Sequence, residues 1–172
     1  MRRIMSGLAA AALAAVAVPA GAAEDPGSAR SRAFVHAAAQ SDSFELMEAN
    51  TVLAQTSDPQ VRAFAQRMIR DHGATFQTLR TAAARAGMRP PEIDVGDQSR
   101  FLAELQSLRG RDFDQAYARQ QVLAHTSALT VEQGYARTGD NPALRQAAAS
   151  AVPVISAHLA MAEQLHARLG GP

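Results

Sequence analysis

The 172-residue chain has no cysteine, no tryptophan and, because all 17 basic residues are arginine, no lysine. Without cysteine there are no disulfides, no thiolate metal ligands and no lipobox cysteine. Aromatic residues are only 5% of the chain, against a hydrophobic share of 47% that alanine inflates. That balance suits closely packed helices and disfavours a sheet, which draws on Val, Ile, Thr, Tyr and Phe. A formal charge of +1 offers no basic field for nucleic acid. Neither a glycine-rich phosphate loop nor a Ser-His-Asp signature is present. The arginine-for-lysine usage, together with the alanine, reflects a GC-rich genome rather than a function. The length allows one domain with a proper core.

The N-terminus reads as a processing signal. Arg2 and Arg3 precede an apolar run from Ile4 to Val18, and Pro19-Ala20-Gly21-Ala22-Ala23 supplies small residues for cleavage after Ala22 or Ala23. The run is shorter than the roughly 20 residues of a membrane span, so none is expected once residues 1–23 are removed. The mature chain then carries 15 Arg against 16 acids, a net charge of about −1. A location in a bacterial periplasm is expected. Residues 24–31 read as a flexible leader to a domain over 32–169.

Four long helices follow from apolar periodicity and caps. The first runs from about Ser31 to Gln55. Asp58-Pro59 caps and starts the second, which Gly87 stops near Ala86. A third runs from about Asp112 to Thr138-Gly139, and Asn141-Pro142 repeats the cap-and-proline start of a fourth that ends near Leu169. Pro153 lies inside that helix and is expected to kink it or open a bulge. The stretch from Met88 to Arg111 is long enough to cross the bundle, with room for a short helix from Gln98 to Leu108. Two tight hairpins joined by one long crossover are the ferritin-like four-helix bundle, an all-α fold.

Polar residues interrupt the apolar stripes. In helix two, Val61, Phe64, Met68, His72, Thr75, Leu79, Ala82 and Ala86 follow the three-and-four step of a core-facing seam, with His72 in the middle. In helix four, His158 shares its seam with Ala151, Ile155, Ala162 and Leu165. Helix three carries His125 and Glu132 on one stripe, with Asp114 a turn before it, and helix one carries Glu45 between Ser41 and Glu48. Glu45, His72, His125 and His158 all lie within about three residues of their helix midpoints, or roughly 5 Å in height. They are therefore expected to share one layer of the core, where three imidazoles and a carboxylate need protons or a metal. Such a donor set suits Zn, Cu or Fe. Asp71, Asp114 and Glu132 are candidates for holding ring N–H groups or for further ligation. Glu48 reads as the edge of its stripe, His36 and His166 as solvated, and Tyr117 and Tyr135 as packing residues. Ile69, Val122 and Ile155 stand three residues before the histidines, so the Glu-x-x-His motif of di-iron bundles is absent.

Phe64-Ala65-x-x-Met68-x-x-Asp71-His72, Phe113-Asp114-x-x-Tyr117, His125, and Pro153 with His158 together resemble the DUF4142 family. The resemblance covers about Ala33 to Leu165. Glu45 matches an acidic position of the family's first helix, and Val152-Pro153 replaces its usual Leu-Pro. The resemblance implies export and a ferritin-like fold, and it implies no activity. Members are often labelled outer-membrane proteins, but helices with polar outer faces are not the alternating strands of a membrane barrel.

A periplasmic bundle with a transition-metal site in its core, serving metal buffering or envelope stress, is the leading expectation. The alternative is a metal-free envelope protein, structural or interacting, whose polar layer only fixes helix register. Catalysis lacks a motif, and a metal ion, a second copy or an envelope partner are the expected associations.

Overall fold

The computed structural model describes residues 27–89 and 91–170; the expected signal peptide and Pro90 lie outside them. The architecture is α1 (Ala29–Gln55), α2 (Pro59–Arg85), a 3-10 turn (Gly96–Gln98), α3 (Ser99–Ser107), α4 (Gly110–Thr138) and α5 (Pro142–Arg168), with no strand among the described residues. No helix there is long and apolar enough to cross a membrane.

Local chemistry sets the helix ends. Asp58 Oδ1 accepts from Gln60 N at 2.8 Å and Val61 N at 3.0 Å, and Pro59 occupies the first helical position. Asn141 does the same for Ala143 and Leu144 ahead of Pro142. The first helix begins two residues earlier than the expected Ser31, because the Ser28 side chain accepts from Ser31 N at 2.9 Å. The expected leader thus gives up its last residues to a capped first turn. Helix α4 likewise starts at Gly110 rather than Asp112. Gly87, at φ +74°, ends α2 through bonds from Met88 N to the Ala83 carbonyl and from Gly87 N to that of Ala84. Pro153 lies inside α5, as expected, and the helix continues through it to Arg168. The proline sits on the exposed face, and the Ala149 carbonyl that loses its helical donor belongs to an exposed residue.

The four long helices form a square in which α1 packs on α2 and α4, and α5 packs on α2 and α4. Thr56 and Asp114 meet at one end, while Ser31 and Tyr135 meet at the other, so α1 and α4 are antiparallel. Arg168 reaches Asp58 at 2.9 Å, which makes α5 antiparallel to α2. The crossover therefore runs the full bundle length, and α3 lies against α1 and α4, with Phe44 meeting Phe101 edge-on at 6.1 Å. Gly96 permits this close passage; a Cβ there would lie 2.0 Å from the Gln40 side chain.

The core is split. One apolar cluster gathers Val52, Phe64, Met68, Phe113, Tyr117 and Leu165 towards the α1–α2 turn. Another gathers Phe34, Phe76, Leu79, Tyr135 and Leu144 towards the α4–α5 turn. Between them lie buried polar residues, described below. Asp58 ties the outer end together, as a cap and as partner of Arg168. Asp58→Ala should cost about 1–2 kcal/mol by removing both. Asp58→Asn should cost less, because the amide oxygen still caps. Thermal melts of the two variants check the order.

Candidate metal centre

His72 of α2, His125 of α4 and His158 of α5 arrive at one height because each stands mid-seam on its helix, and each is 1% exposed. Their ring centroids are 5.1–5.4 Å apart. One ring nitrogen from each falls within 4.8 Å of the other two. His72 Nε2 and His125 Nε2 approach to 3.3 Å.

The outer nitrogens settle the tautomers. His72 Nδ1 lies 2.8 Å from Asp42 Oδ1, which also accepts from Thr75 Oγ1 at 2.8 Å. His125 Nδ1 lies 2.9 Å from the Gln121 carbonyl, and His158 Nε2 lies 2.9 Å from Asp71 Oδ2. Carboxylates and carbonyls only accept, so each of these ring nitrogens carries the proton. The remaining atoms, His72 Nε2, His125 Nε2 and His158 Nδ1, then present lone pairs whenever His72 carries only its Nδ1 proton. His158 Nδ1 is buried with no partner at all.

Electrostatics divide the three rings. Burial works against protonation of His72, but its bond to Asp42 and the charges of Glu45, Asp42 and Asp71 outweigh that, and its pKa is raised. His125 is lowered, burial being the largest cause. His158 is lowered to about 4 by burial, with the neighbouring rings adding to the effect against Asp71. His125 and His158 are thus neutral near pH 7, the form that binds metal.

A metal fits this donor set. Imidazole nitrogens bind zinc at roughly 2.0–2.1 Å, which places neighbouring ligand atoms about 3.3–3.6 Å apart in tetrahedral or trigonal geometry. The His72–His125 spacing of 3.3 Å is already within that range. Each outer N–H is anchored to an acceptor, as metal-bound histidines require.

Over residues 16–165 the chain matches the family described as "Domain of unknown function (DUF4142)". The chain belongs to the DUF4142 family. It is also similar in fold to the crystal structure of a DUF305 fragment from Deinococcus radiodurans, with a TM-score of 0.72 at 17% identity, covering 83% of this chain and 99% of that one. CopM in the Cu(II)-bound form gives a TM-score of 0.65 at 16% identity, over 80% of this chain and 96% of its own. Likeness at such identity speaks for the fold. No curated protein matches the chain in sequence.

The carboxylates of this DUF4142 chain occupy varied places. Glu45, 1% exposed, stands 3.6 Å from Nδ1 of His125, beside the protonated side of that ring rather than its inner nitrogen. Asp71 holds His158. Asp114 is not brought to the histidines; it accepts from Thr56 at 2.7 Å at the end of the bundle. Eleven residues separate it from His125, about 16 Å along a helix. Glu132 makes no bond to a histidine, and its Oε2 is buried without a partner. His36 is exposed and His166 half-buried.

Glu48, expected at the stripe's edge, is fully buried. Helices α2 and α4 flank α1, and α3 covers it from the crossover, so α1 has little free edge left. Burial, with the charge of Glu45, holds the Glu48 carboxyl well above the usual carboxylate range. A single amide, Nε2 of Gln121, donates to Glu45 at 2.6 Å and to Glu48 at 2.5 Å.

Asp42 and Gln121 escaped the stripe argument. Asp42 lies one position off the seam, yet Asp42-x-x-Glu45-x-x-Glu48 places an acid on every successive turn of α1, which was a usable signal. Gln121 stands four residues before His125 and so beneath it on the same face.

Glu132 provides a pH test. Burial, aided by Asp42, raises its pKa from 4.5 to about 8. The folded chain keeps a proton that the unfolded chain sheds, so this contribution to stability drains away as pH rises from about 4.5 to about 8. Glu132→Gln cannot ionise. Relative to the parent protein it should melt at nearly the same temperature at pH 5 and be more stable at pH 9, by on the order of 2–4 kcal/mol. Thermal melts across that range check this, and parallel curves for the two proteins would contradict it.

Proposed function

We propose that this protein is an exported periplasmic bundle that holds one transition-metal ion on His72, His125 and His158, for metal binding and buffering or envelope stress protection. The observation that carries the reading is His158 Nδ1, a buried, partnerless acceptor beside two other imidazoles whose outer nitrogens are anchored. Copper(II) and zinc are the favoured ions: imidazole suits both, and copper(II) stands highest in the affinity order of the divalent metals. A fold neighbour described in a Cu(II)-bound form supports copper. Asp42, Asp71 and Glu45 supply the negative charge that offsets the ion. Export rests on the Arg2-Arg3 and Ala-rich N-terminus.

A metal-free reading draws on the 3.3 Å contact. If His72 is doubly protonated, its Nε2–H donates to His125 Nε2, and the layer serves to fix helix register. That arrangement leaves His158 Nδ1 orphaned, at a cost of about 1–3 kcal/mol.

Elemental mass spectrometry of the untagged protein, secreted from its full-length gene, separates the two readings. The parent protein should carry about one copper or zinc per chain, and His158→Ala almost none, while His36→Ala retains it. Adding metal at 100 times its Kd to stripped protein should raise Tm by about 5–10 °C. Metal-free parent protein with no such rise would refute the site.

A further inference from the structure

A cleft of about 390 Å³ opens between α2 and α5 and descends to the polar layer. Its rim includes Ala74 and Ala157, both exposed, and its floor is formed by buried Phe34, Asp42 and Glu132 from α1 and α4. The opening has a compositional cause. Where α5 faces α2 it carries Ala147, Ala148 and Ala151, which leave the space that larger side chains would fill.

The inner end of this cleft is acidic. Asp42, Asp71 and Glu132 line it, against a single arginine, Arg67, which already pairs with Asp71 at 3.8 Å. Asp42 has its partners in His72 and Thr75, and Asp71 has His158. Glu132 does not: it is 7% exposed and its Oε2 has no hydrogen-bond partner. A buried carboxyl group left unpaired at the bottom of an apolar-walled cleft is a recognition element without its counterpart. The volume is near the lower end of the roughly 300–1,000 Å³ typical of small-molecule pockets, too small for a docked helix.

We propose that this cleft binds a small molecule with an apolar body and a primary ammonium group. The ammonium sits on Asp42 and on Glu132, which gives up its proton to solvent as the cation binds, and the body lies against Phe34, Leu79 and Ala148. His158 also lines the cleft, so its inner end meets the imidazole layer, but the ammonium contacts on Glu132 and Asp42 require no metal.

The test uses the exported chain in excess EDTA, which removes any contribution of bound metal. 2-Phenylethylamine is titrated and followed by ¹H–¹⁵N correlation spectra, with 2-phenylethanol and phenylacetate as uncharged and anionic comparators. Saturable shifts should centre on Thr75, Glu132, Ala148 and Ala151. The amine should bind about tenfold more tightly than the alcohol, and phenylacetate should not bind. Glu132→Gln should weaken the amine about fivefold or more, while Ala74→Trp, at an exposed rim position that leaves the fold intact, should abolish binding. Absence of saturable shifts at these amides overturns the proposal. So does phenylacetate binding as tightly as the amine, or full affinity in Ala74→Trp.

Discussion

The organisation of this bundle depends on one constraint: a layer of polar side chains is buried halfway along it and must be satisfied from within. Three imidazoles share that layer, and each spends one nitrogen on an acceptor from its surroundings. Asp42 reaches from α1 to α2, and Asp71 from α2 to α5, so two of these bonds also clamp neighbouring helices. Slipping any helix by a turn, about 5.4 Å, would strand these groups in the apolar clusters above and below. The layer therefore fixes register whether or not an ion occupies it.

Charge in the layer is balanced mainly by keeping groups neutral. Glu48 and Glu132 are pushed towards their protonated forms by burial, and His125 and His158 towards their unprotonated ones. His72 is the exception, because Asp42 touches it directly. Several polar atoms nevertheless stay unpaired, among them Glu48 Oε1, Gln121 Oε1 and His158 Nδ1. Native interiors rarely leave so many polar atoms together. Their concentration beside the imidazoles is the physical reason to expect a cation there.

The fold was legible because its signals are local. Asp58-Pro59, Asn141-Pro142 and Gly87 mark helix ends without reference to the rest of the chain, and the unequal connection lengths dictate the crossover. The three histidines were legible because each interrupts an otherwise apolar seam at mid-helix. Asp42 and Gln121 were not, since a residue one step off the seam becomes buried only when a neighbouring helix closes over it. Glu48 escaped for a related reason: α3 covers α1, and a crossover helix leaves no mark on the periodicity of the helix beneath it. Asp114 failed in the opposite sense, with the right residue type on the right face but three turns too far along α4.

The central claim, that three ring nitrogens are left free to converge while their opposites are anchored, is tested most directly by long-range ¹H–¹⁵N spectra of the imidazoles with and without zinc. The metal-free protein should show His158 as the Nε2–H tautomer and His125 as Nδ1–H. Zinc should move the ¹⁵N resonances of His158 Nδ1, His72 Nε2 and His125 Nε2 together, at about one ion per chain. A proton on His158 Nδ1, or resonances that ignore zinc, would contradict the account.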